Sequence, residues 1–92
     1  MSARVTSTKL VDVPHFLLHN HHPADDCGAV FAAFRGFASP LRHTEALASC
    51  RSSGHEIWWH AAADDDAAAL RQLPRYVATN STATRVDTVV VP

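Results

Sequence analysis

Seven histidines stand in this 92-residue chain, and six of them fall in two short stretches. The first is His15-Phe16-Leu17-Leu18-His19-Asn20-His21-His22; the second is Gly54-His55-Glu56-Ile57-Trp58-Trp59-His60, which also carries both tryptophans. Imidazole is the side chain that titrates near neutrality, and it is a common ligand for transition metals. Two or three neutral imidazoles beside a carboxylate therefore have two uses. They can ligate zinc, nickel, copper or non-haem iron, or they can move protons without a metal. The plainer alternative is that the histidines are hydrogen-bonded surface groups.

Which use is open depends on the elements that position them. The first stretch is short and followed by Pro23, which suits a strand ending at a turn. The Gly54–His60 stretch reads as a central strand. Side chains alternate across a strand. Phe16, Leu18, Ile57 and Trp59 are therefore expected on a helix-covered core face. His15, His19 and His21, with Glu56, Trp58 and His60, are expected on the opposite face. Between the strands, Pro23 to Gly36 shows helix start signals, apolar residues at three- and four-residue spacing (Cys27, Val30, Phe31, Phe34) and a closing glycine. Thr44 to Cys50 is a strand supported mainly by the turn Arg51 to Gly54 that follows it. That hairpin sets Leu47 opposite Trp58 and Ala48 opposite Ile57. Asp64 to Asp66 supply a cap for a helix through Ala67, Leu70 and Leu73, which Pro74 stops or kinks. Asn80 to Thr84 reads as a loop, and Arg85 to Val91 as the last strand.

The order β-α-β-β-α-β is the ferredoxin-like split pattern, an α+β fold whose antiparallel sheet carries two helices on one face. Residues 1–12 are polar and unpatterned, a flexible arm; residues 13–92 form one domain. The bare sheet face predicts a homodimer, two sheets packed into a shared α/β barrel. In that topology the first and third strands are neighbours, so His19, His21, His60 and Glu56 converge as candidate metal ligands for a divalent transition metal. The leading expectation is a small dimeric enzyme in which His19, His60 and Glu56 are the catalytic groups, with Trp58 and Tyr76 as walls for a flat organic substrate; metal binding is its alternative.

A family resemblance bears on the second half. Gly54-His55-Glu56-Ile57-Trp58-Trp59, an acidic helix start and Leu73-Pro74-Arg75-Tyr76-Val77 resemble the muconolactone isomerase-like group of the dimeric α/β-barrel superfamily. The resemblance implies the fold and the dimer. The superfamily's range implies, for an enzyme, isomerase, cyclase or monooxygenase chemistry on an organic metabolite. A non-catalytic ligand-binding dimer is the remaining alternative, and it predicts a cavity without convergent polar groups.

The composition narrows the partners. A formal charge of −1 offers no electrostatic case for nucleic acid or an anionic membrane. No apolar run approaches the roughly 20 residues of a transmembrane helix, and the Ser/Thr-rich start shows no signal-peptide core. Cys27 and Cys50 make no disulfide framework, so a reduced, cytoplasmic protein is expected. Cys27 reads first as a helix residue packed on the sheet, and second as a metal ligand, given the histidines just before it. Cys50 reads as core.

Overall fold

The computed structural model describes residues 13–92. The flexible arm expected over 1–12 lies outside them. The elements run β1 (His15–His21), α1 (Cys27–Ala32), β2 (Leu47–Ala48), β3 (Glu56–Ala62), α2 (Asp66–Leu70), α3 (Arg75–Ala78) and β4 (Ser81–Val86). Single 3₁₀ turns cover Ala24–Asp26 and Cys50–Ser52. The four strands form one antiparallel sheet in the order β2-β3-β1-β4, making this an α+β chain with a few short helices.

The centre of the sheet is β1 against β3, with Leu18 across from Trp59, His19 from Trp58 and His21 from Glu56. Strict alternation follows. Phe16, Leu18, Asn20, Ile57, Trp59 and Ala61 are buried, while their neighbours along each strand are partly or fully exposed. The buried set packs with Val30 of α1, Leu41, Ala69 of α2, Leu73 and Val77 of α3, so the helices lie on one face of the sheet. Each buried valine, leucine or isoleucine side chain taken from water contributes about 1.5–3 kcal/mol. The other face is open.

Local chemistry fixes the ends of the helices. α1 tightens after Ala32 into i→i+3 bonds, Phe34 N–H to Phe31 and Arg35 N–H to Ala32. Gly36 then takes φ +74°, the left-handed conformation glycine adopts without a Cβ penalty. The helix is shorter than the amphipathic pattern suggests, and Phe31 is exposed on its outer side. Asp65 caps α2, its Oδ1 accepting from Ala68 N–H at 2.7 Å. Pro74 ends that run, and its carbonyl starts α3 by accepting from Val77 and Ala78.

Two strands depart from expectation. β2 spans only Leu47–Ala48, because its alanines favour extension weakly and Ser49 turns the chain at once. Its pairing, Leu47 with Trp58 and Ala48 with Ile57, is the expected register. The last strand is Ser81–Val86, not Arg85–Val91. Ser81 to Thr84, read as loop, pair along β1 from Asn20 to Leu17, and Arg85 and Val86, read as strand, continue the pairing to Phe16 and His15. The β-branched run Val89-Val90-Val91 is exposed and outside the sheet. Contact with β1 and inward packing of Ala83 outweigh propensity there. Among the described residues no helix is long and apolar enough to cross a membrane.

Candidate metal centre

Where β1 ends, alternation continues for one more residue. His22 follows Asn20 on the helix-covered side, and both are almost fully buried, 2% and 1% exposed. The His22 N–H donates to the His55 carbonyl at 3.1 Å, which joins the end of β1 to the start of β3. The 3₁₀ turn then brings Cys27 back toward His22. On the other side the β2–β3 connection presents Cys50 and His55.

That connection is tightly built. Ser49 O accepts from Gly54 N–H at 2.9 Å, Ser49 N–H donates to Glu56 O at 2.9 Å, and Ser49 Oγ accepts from Glu56 N–H at 3.1 Å. A Cβ at position 54 would collide with the Ser49 side chain, so glycine is required there by space. Ser53 and His55 both take positive φ, 67° and 56°. Left-handed backbone at a non-glycine residue is uncommon and costs energy.

The result is a group of four donors, His22, Cys27, Cys50 and His55, whose ligand atoms all lie within 4.8 Å of one another. His22 Nε2 is 3.1 Å from Cys27 Sγ and 3.4 Å from Cys50 Sγ; His55 Nδ1 is 3.3 Å from Cys27 Sγ. Neighbouring nitrogen and sulfur ligands on one tetrahedral zinc ion would be about 3.5 Å apart, given Zn–N near 2.0–2.1 Å and Zn–S near 2.3 Å. The residues form two mirrored spacings, His22-x₄-Cys27 and Cys50-x₄-His55. Both cysteines are free thiols. A metal ion can be held here by two thiolates and two imidazoles.

The protonation of His22 follows from its neighbour. Asn20 Nδ2 donates to Val77 O at 3.1 Å, to Ser81 Oγ at 3.0 Å and to Asn80 O at 3.4 Å, so its Oδ1 is left as an acceptor. His22 Nδ1 is 2.8 Å from that oxygen and must carry the proton. Nε2 then keeps its lone pair and faces the two sulfurs. This is how ligating histidines are oriented, by a partner on the far nitrogen. Burial lowers the His22 pKa below its ordinary value; His55 and His21 push the same way, and Asp26 opposes them. Burial raises the Cys50 thiol, and its contact with Cys27 adds to the rise. A metal ion has to displace that proton.

Of the candidates the sequence offered, Cys27 is in this group; His19, His21, Glu56, Trp58 and His60 lie elsewhere, on the open face. His19 Nε2 is 2.6 Å from Glu56 Oε1, and the His19 ring stacks on Trp58 with centroids 5.2 Å apart and planes at 15°. His60 pairs with His15, not with His19: His15 Nδ1 and His60 Nε2 are 2.9 Å apart. His21 is exposed, across from Glu56 in register. These residues do not assemble into one ligand set. Among the described residues, the group of three or more donors able to hold a metal is the buried one. Tyr76 is not beside Trp58; it belongs to the helix layer, where its hydroxyl donates to Asp26 Oδ2 at 2.7 Å and its pKa is raised by that bond. A groove of about 580 Å³ on the open face is lined by Leu17, Leu47, Trp58 and His60, with Glu45 at its side.

Cys50 is partly buried and shares the metal group instead of serving only as core. His22 was legible in principle. It extends the inward series Phe16, Leu18, Asn20 by one more step, and a histidine on a core face needs a partner. No protein-family model, curated protein or solved structure matches the chain.

Proposed function

We propose that this chain is a small metal-binding domain in which His22, Cys27, Cys50 and His55 hold one zinc-class ion. The observation that carries the reading is the convergence of four borderline-to-soft donors from two segments far apart in sequence. Thiolate with imidazole suits zinc, and four protein ligands leave no open position, the pattern of a structural site. The ion would tie the β1–α1 corner to the β2–β3 connection, in a chain short enough to gain from such a staple. Zinc titrated into chelator-stripped protein should raise Tm, and Cys27→Ser/Cys50→Ser should abolish the rise. An unchanged Tm in the wild-type chain at saturating zinc would contradict the reading.

The His19–Glu56 contact beside Trp58 supports a second reading for the open face. In it the chain is a ferredoxin-like dimer resembling the muconolactone isomerase-like group, with His19 as a base oriented by Glu56. The strand order and all-antiparallel pairing support that fold. The exposed Leu17 and Leu47 beside partly covered Trp58 support the dimer. Sedimentation giving a monomer at micromolar concentration would contradict the dimer. Unchanged turnover in His19→Ala, once a substrate is found, would remove His19 from the chemistry.

A further inference from the structure

The His15–His60 pair is separate from the buried centre. The two residues sit diagonally on adjacent strands: His60 lies across from Leu17, and His15 across from Ala62. Both are exposed, and their nearest nitrogens are 2.9 Å apart with the rings tilted at 36°. Two nitrogens bound at 2.0–2.1 Å to one ion are about 2.9 Å apart when they subtend a right angle, and about 3.4 Å apart at the tetrahedral angle. The observed separation is that of adjacent corners of a square. Square-planar or tetragonal nitrogen sites select Cu(II) or Ni(II) over zinc. His19, the next histidine along β1, has its Nε2 held by Glu56. The small side chain of Ala62 beside His15 leaves the pair open, and His60 lines the wall of the groove shared by Leu17, Leu47 and Trp58.

We propose that His15 and His60 form a second metal site, a two-imidazole chelate for a Cu(II)-class ion whose remaining positions open to water and toward the apolar groove. The ion is bound by two cis ligands, so it is held less tightly than in the closed four-ligand centre and can exchange or accept a small oxygen-donor ligand.

An imidazole–imidazole hydrogen bond has the same length, so the experiment has to separate the two. Cu²⁺ is titrated into the tag-free, zinc-loaded chain and followed by electron paramagnetic resonance and calorimetry. The proposal expects one copper per chain with zinc retained, and a spectrum split by two nitrogens. His15→Ala and His60→Ala should each weaken copper binding by about tenfold or more, because each removes one arm of a bivalent contact. His60→Gln keeps a hydrogen-bonding side chain on the same surface, and should lose copper while Tm and zinc content stay unchanged. His43→Ala should bind copper like the wild type. Copper affinity unaffected by His60→Gln would show that the pair is a hydrogen bond only and overturn the site. So would copper taken up by displacing zinc, or lost equally in His19→Ala.

Discussion

Asn20 decides what His22 can do. Its amide nitrogen is committed to Val77, Asn80 and Ser81, so its oxygen fixes the imidazole proton on Nδ1 and leaves Nε2 for a metal. Asn20→Ala removes that orientation without touching a ligand. Zinc affinity should fall about 10–100-fold, the usual loss when a ligand's outer partner is removed, as read by competition with a chromophoric chelator. The buried imidazole also sets a pH dependence. The folded His22 pKa lies below the ordinary value near 6.5. Between those two values the unfolded chain binds a proton that the folded chain does not. Metal-free stability should thus be complete above about pH 6.5 and decline as pH falls through the folded pKa, measured by urea unfolding at stepped pH. At this scale the sequence was only partly legible. Alternation along β1 and β3 is a local property and put His19, Glu56, Trp58 and His60 on one face. The partnership of Cys50 with His22 joins residues 28 apart and depends on a turn whose shape no propensity encodes.

The connection between β2 and β3 shows how an element serves the centre. Ser49, Gly54 and Glu56 are bonded into a narrow turn, and the turn holds Cys50 and His55 at the right separation. Gly54→Ala forces a methyl into the Ser49 side chain. Overpacking of this kind costs about 1–3 kcal/mol, and here it should also displace His55. Calorimetry should show a lower Tm, and zinc titration a weaker site; a variant as stable and as tight as wild type would remove Gly54 from the account. Elements with a strong internal signal were the readable ones: β1, β3, the Asp65 cap and the stop at Pro74. β4 was not, because Ser81 to Arg85 is polar with no large apolar residue to mark a buried face, and it is held by its pairing with β1.

At the scale of the whole molecule, one face of the sheet is covered by short helices and the other is open. Among the described residues none of the helices exceeds six residues, and isolated helices of that length are unstable in water. Their order comes from packing on β1 and β3 and, in the proposed function, from an ion at the one end of the central strand pair where β1 finishes and β3 begins. Chelation should therefore cost more than local loosening. Binding at a hundredfold excess over Kd is worth about 2.7 kcal/mol of stability. A loss of that size on adding a strong chelator should appear as a cooperative drop in Tm and as new hydrogen exchange across β1 and β3. The central claim is most directly tested by metal content. Protein purified without a histidine tag should contain one zinc-class ion per chain by elemental analysis, and Cys27→Ser/Cys50→Ser should contain none at the buried site. A wild-type chain free of stoichiometric metal, or a double variant that retains as much as wild type, would contradict it.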